Sequence, residues 1–82
     1  MKAKKQHEVI VYSTTTCPWC VRAKEYFDSK KIKYKDLNVG IDAKARAEMV
    51  QKSGQMGVPV IQIDNYVIVG FDQAAIEDVM SR

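Results

Sequence analysis

Two cysteines stand three positions apart in Cys17-Pro18-Trp19-Cys20, and the 82-residue chain has no others. Thiols at this spacing can open one half of a zinc site. They can also exchange with a disulfide by passing through a disulfide of their own. A structural zinc site takes four ligands, and His7 is the one histidine left to join the pair. A secreted disulfide scaffold would call for four or more cysteines. Redox exchange is the chemistry that remains, with two ordinary buried cysteines on a helix as the plainer alternative.

Position decides which sulfur attacks. Residues 8–13 form a short run rich in β-branched and aromatic side chains and predict a buried strand. Thr14, Thr15 and Thr16 are capping types, and Pro18 suits a first helical turn. The pattern then predicts a helix to about Lys31. Cys20, Ala23 and Phe27 share its inner face, while Arg22, Lys24, Glu25 and Asp28 take the other sides. Cys17 therefore falls at a helix N-terminus, where unpaired N–H groups and the macrodipole favour thiolate over thiol. A free cysteine titrates near about 8.5, and C-x-x-C cysteines so placed at roughly 3.5–7.5. Cys17 is the expected nucleophile. Cys20, one turn further on and facing inward, is the expected resolving thiol, kept protonated by burial. Cys17 would form a mixed disulfide with a substrate; Cys20 would then displace the product and leave a Cys17–Cys20 disulfide. Pro18 stiffens the turn, and Trp19 offers a flat apolar wall beside the sulfur.

The remaining elements must hold this turn in place. Residues 33–39 alternate charged and apolar side chains and predict a second strand. Gly40 and Asp42 mark a turn and a helix start. Ala43, Ala47 and Val50 are the expected inward positions of that helix, which stops at Ser53-Gly54. Residues 60–64 and 66–69 predict a hairpin about Asp64-Asn65. Gly70 ends it, and Asp72 can cap a last helix with Ile76, Val79 and Met80 inward. The order is βαβαββα: an α/β fold with a four-stranded mixed sheet flanked by three helices, in one domain over residues 1–82. Its first two strands are expected to be parallel, with a right-handed crossover. Residues 1–7 are expected to fray.

Composition excludes several functions. Hydrophobic residues make up 46% and charged residues 28%, ordinary for a globular domain. No apolar run approaches the roughly 18 residues of a membrane span. Nor does a signal-like stretch follow the first lysines, so the expected location is cytoplasmic and no membrane partner is implied. The net charge is +3, with nine of the 13 basic residues at or before Lys35. This is an ordinary solvated surface, or a weakly basic rim attractive to an anionic substrate. Without a basic stripe interleaved with aromatics, nucleic acid is a poor fit. His7 reads as part of the tail. Tyr12, Tyr26, Tyr34 and Tyr66 read as packing, and Lys24, Lys30 and Lys31 as the solvent side of the first helix.

Three segments together, Cys17-Pro18-Trp19-Cys20, Val58-Pro59 and Val69-Gly70-Phe71-Asp72, closely resemble glutaredoxins over residues 8–81. The resemblance implies a thioredoxin fold and a protein or glutathione-mixed disulfide reductase. It also implies a cis bond before Pro59, where the base rate for X-Pro bonds alone would say trans. Val58 inherits a backbone contact to substrate, in the manner of an added strand. Gly70, Phe71 and Asp72 inherit a place near the γ-glutamyl end of glutathione, a co-substrate rather than a tightly bound cofactor. The chain departs from the pattern of glutathione-using members. Thr14 stands where Lys is usual, Gly57 where Thr is usual, and Val69-Gly70 replaces Gly-Gly. The Gly-Phe-Asp segment is similar to NrdH-type redoxins, which are reduced by thioredoxin reductase, although those lack the Pro18-Trp19 pair. Disulfide-containing proteins, among them ribonucleotide reductase, are the implied clients. An iron–sulfur role, found in some members, is disfavoured by Pro18, and no metal site is expected. Nothing calls for an obligate oligomer, so a monomer is expected.

Overall fold

The computed structural model describes residues 7–81. Seven elements follow one another: β1 (Val9–Ser13), α1 (Pro18–Ser29), β2 (Lys35–Asn38), α2 (Ala43–Ser53), β3 (Val60–Ile63), β4 (Tyr66–Val69) and α3 (Gln73–Met80). The sheet order is β2-β1-β3-β4. β1 runs parallel to β2, with Val11 opposite Asp36, and antiparallel to β3, with Val11 opposite Ile61. β3 and β4 form the expected antiparallel hairpin.

Alternation along the strands splits the core in two, because successive strand side chains point to opposite faces. Val9, Val11, Ile61, Ile63 and Ile68 meet Ala23 and Phe27 of α1 and Ile76 and Val79 of α3. Tyr12 and Val60 point the other way, onto Val39 and onto Ala45 and Met49 of α2. Full burial of a side chain such as Phe27 contributes about 1.5–3 kcal/mol.

Several expectations change at this level. In α2 the buried residues are Ala45 and Met49, whereas Ala43 and Ala47 are exposed and Val50 is half-buried. Two apolar series spaced by four residues compete on this helix, and the one carrying the larger Met49 fills the space over Tyr12 and Val60. α1 stops at Ser29 rather than near Lys31 because Lys31 itself takes a left-handed conformation, φ 58°. Of the expected tail, residues 1–6 lie outside the described residues. His7 is held in place: its Nδ1 lies 2.5 Å from Asp64 Oδ2 and its Nε2 3.0 Å from the Met80 carbonyl oxygen. Asp64 also accepts the Glu8 N–H at 2.9 Å and adopts φ 54°, so the hairpin turn and the start of the described chain brace each other. No helix among the described residues is long and apolar enough to cross a membrane.

Candidate active site

β1 delivers the chain to the C-terminal edge of the sheet, and Thr14, Thr15 and Thr16 turn it into α1. Pro18 sits at the first helical position, where its missing N–H costs nothing. Cys17 is the residue before it, in extended conformation, and serves as the N-cap of α1 through its sulfur. The Cys20 N–H donates to Cys17 Sγ at 3.1 Å. On its other side, the Cys17 thiol reaches the Val58 carbonyl oxygen at 3.8 Å. As a thiol, Cys17 has an acceptor to donate to; as a thiolate, it has a backbone N–H aimed at it.

Cys20 faces the opposite situation. It is fully buried, on the face of α1 shared with Ala23 and Phe27. Burial pushes its thiol up to about 12, and the hydrogen bond with Cys17 pushes the same way. A backbone hydrogen bond from Thr14 and the ammonium of Lys24 act in the opposite direction. Both cysteines are free thiols. The two thus differ in access and environment, although only two residues separate them.

The Val58–Pro59 bond is cis, and Pro59 is buried. Gly70, at φ 83°, donates its N–H to the Pro59 carbonyl oxygen at 2.8 Å. This bond ties the end of β4 to the proline segment opposite Cys17, and the φ value explains a glycine there. Trp19, Val58, Pro59, Gly70 and Phe71 line one groove of about 250 Å³ beside the cysteines. Trp19 is 57% exposed, so its ring is available as an apolar wall, and the Arg22 guanidinium lies 5.3 Å from its centroid. Phe71 is anchored from below by the Tyr26 ring, 5.7 Å away.

Of the residues singled out from the sequence, Cys17, Pro18, Trp19, Cys20, Val58, Pro59, Gly70 and Phe71 converge here. The side chains of Thr14 and Asp72 are engaged elsewhere. The Thr14 side chain neighbours Gly40, after β2. The Asp72 carboxylate caps α3, taking the Ala75 N–H at 3.1 Å. Sequence reasoning passed over a polar cluster next to the cysteines. Lys24, read as a solvated lysine, bonds Asp36 Oδ2 at 3.0 Å and approaches Ser13 Oγ at 3.4 Å. Ser13, buried at the end of β1, donates to Asp36 Oδ1 at 2.8 Å. The signal was the spacing of Lys24, four residues after Cys20 on the same helix. Among the described residues, no group of three or more His, Cys, Asp or Glu is arranged to hold a metal ion.

A mixed four-stranded sheet, three helices and a C-x-x-C pair at the start of α1 define a thioredoxin-fold thiol redox protein. The glutaredoxin family model matches residues 9–68, and the chain belongs to the glutaredoxin family. It is 51% identical over 72 residues to a glutaredoxin-like 8.6 kDa protein of a rubredoxin operon in Clostridium pasteurianum. That match covers 88% of this chain and 96% of the relative. Glutaredoxin 3 of Escherichia coli is 41% identical over 64 residues, 78% of this chain and 77% of that protein. Among solved structures, a buckwheat glutaredoxin–glutathione complex superposes with a TM-score of 0.72 at 26% identity, covering 92% of this chain and 71% of that one.

Proposed function

We propose that this chain reduces protein disulfides and glutathione-mixed disulfides by a dithiol route, with Cys17 as nucleophile and Cys20 as resolving thiol. The supporting observation is the contrast between the two sulfurs. Cys17 caps α1 at the mouth of the groove and accepts an N–H at 3.1 Å, whereas Cys20 is fully buried. An N–H aimed at sulfur binds the anion more strongly than the neutral thiol, and the anion is the attacking species. Cys17 attacks a substrate disulfide; one substrate sulfur leaves as a thiolate and takes a proton. Cys20 then attacks the mixed disulfide, and the second substrate sulfur leaves. The chain ends oxidised by two electrons and the substrate reduced by two.

Glutathione is the electron donor in this reading, seated in the groove of Trp19, Val58, Pro59, Gly70 and Phe71. The buckwheat relative, solved with glutathione, supports it. A second reading gives the donor role to thioredoxin reductase. It is supported by the lack of a cationic side chain at Thr14 and by Val69 in place of a second glycine, both of which remove glutathione contacts usual in the family. In either reading the client is a disulfide-bearing protein, of which ribonucleotide reductase is one candidate.

The test uses Cys20→Ser. This variant is expected to accumulate a stable mixed disulfide with a protein substrate, visible by non-reducing gel and mass, while the wild type releases it. Turnover of the wild type with glutathione plus glutathione reductase, against thioredoxin plus its reductase system or the reductase alone, separates the donors. Turnover with neither donor, or mixed disulfides forming on Cys20 in place of Cys17, would refute the dithiol route.

A further inference from the structure

The second exchange asks a buried thiol to carry negative charge. In the resolving step the bond between Cys20 Sγ and Cys17 Sγ forms, and the bond from Cys17 Sγ to the substrate sulfur breaks. The departing sulfur takes the electron pair and ends with the proton that Cys20 gives up. Charge must appear on Cys20 Sγ on the way, in a place from which water is excluded.

We infer that Lys24, tethered by Asp36 and Ser13, is a positioning residue for this resolving step, supplying the positive charge against which Cys20 becomes a nucleophile. The inference rests on the dithiol route proposed above. Lys24 is four residues after Cys20 on α1, so both side chains lie along one flank of the helix. A free lysine would sweep through solvent, but here its ammonium is fixed at 3.0 Å from Asp36 Oδ2 and 3.4 Å from Ser13 Oγ. The anchor is itself rigid. Ser13 is buried and ends β1, and its hydroxyl holds the second oxygen of Asp36 at 2.8 Å, on the neighbouring parallel strand. The Lys24 side chain is 25% exposed and that of Asp36 42%, so the pair is partly shielded from water.

Other charged and titratable groups surround this flank. On α1, Cys17 is the mixed-disulfide partner during this step and so carries no charge. Tyr34 on the following segment bonds Asp28 and also feels Asp36 and Lys24, while Glu77 of α3 is held by Tyr26 and Gln73. Lys24 draws the Cys20 thiol downward, as the Thr14 backbone hydrogen bond does more strongly, against the dominant effect of burial. The pair has little to do with stability, since exposed ion pairs contribute about 0–1 kcal/mol.

The experiment follows the two thiol exchanges separately, with 5,5′-dithiobis(2-nitrobenzoate) as the disulfide in stopped flow. Attack by Cys17 releases one equivalent of coloured thiolate; attack by Cys20 on the mixed disulfide releases the second. Lys24→Met is expected to leave the first phase within about twofold. It is expected to slow the second by about three- to tenfold at neutral pH and move its pH profile upward by up to about one unit, a unit being tenfold in thiolate fraction. Lys24→Gln, which removes the charge but keeps an N–H donor, is expected to behave like Lys24→Met, and Lys24→Arg to restore the second phase. An unchanged second phase in the Met and Gln variants overturns the inference and leaves the dithiol route standing. So does an equal slowing in the Arg variant, since that marks packing and not charge. Release of only one equivalent by the wild type overturns the dithiol route itself.

Discussion

At the start of α1 the N-cap acceptor is the sulfur of Cys17, which takes the Cys20 N–H at 3.1 Å. At the start of α2 the acceptor is the Asp42 carboxylate, which takes the Ala45 N–H at 3.1 Å. The two helix starts use the same backbone geometry, an extended cap residue followed by a helix that binds it three residues on. Neither helix carries an acidic residue in its first turn. A carboxylate in this position acts as a structural cap. A thiol in the same position is also a nucleophile, so in the proposed dithiol route the same N–H groups that close a helix assist a reaction. Replacing one atom type at a cap turns a structural device into a chemical one.

The largest effect that can break this comparison comes from Cys17→Ser. Serine is a good cap, so α1 is expected to stay formed and the denaturation midpoint to hold or rise. Disulfide exchange is expected to fall by about a thousandfold or more, as removal of a nucleophile does. A variant that loses stability along with activity would show that the sulfur is needed by the helix itself.

The converse substitutions are smaller. Asp42→Ala and Asp72→Ala each remove a carboxylate cap and are expected to lower stability by about 1 kcal/mol, measured by urea unfolding. Exchange by Asp42→Ala is expected to remain at the wild-type level. Asp72→Ala is expected to raise KM as well, because Asp72 fixes the start of α3 immediately after Phe71 of the groove. Equal KM values for the two variants would detach the α3 cap from substrate binding.

The smallest effect concerns the partner thiol. Burial raises Cys20 well above the ordinary cysteine range, to about 12, in the folded chain. The folded state therefore holds the Cys20 proton more tightly than the unfolded state does. That contribution is fully present below about pH 9 and is lost as pH rises toward about 12. Stability of the reduced protein is expected to decline over that alkaline window, and less so in Cys20→Ala. Parallel declines in both proteins would assign the loss to other groups, such as Tyr26 and Tyr34, which burial also raises.

Residue order and local chemistry already carried much of this molecule. The element order, the β1–β2 and β3–β4 pairings, the Gly54 and Asp72 helix signals and the placement of Cys17 before Pro18 follow from local patterns and connection rules, whereas the β1–β3 pairing was not legible. These rules act within a few residues, as a cap on its own helix or a glycine at positive φ does. What stayed illegible was set over longer distances. Two apolar series on α2 were equally periodic, and only the sheet beneath them selected Ala45 and Met49. The end of α1 was hidden because Lys31, which prefers right-handed backbone, takes the left-handed position after it.

The sequence by itself determined which atoms could react, because cysteine type, spacing and a helix start are local properties. The tertiary structure decided what surrounds those atoms. It brought Val58 and Gly70 across from the β3–β4 side of the sheet, sank Cys20 into the core, and clamped Lys24 between two strands. Electric fields and exclusion of water depend on everything within a few ångströms, whatever its distance along the chain. No reading of neighbours in sequence contains that information.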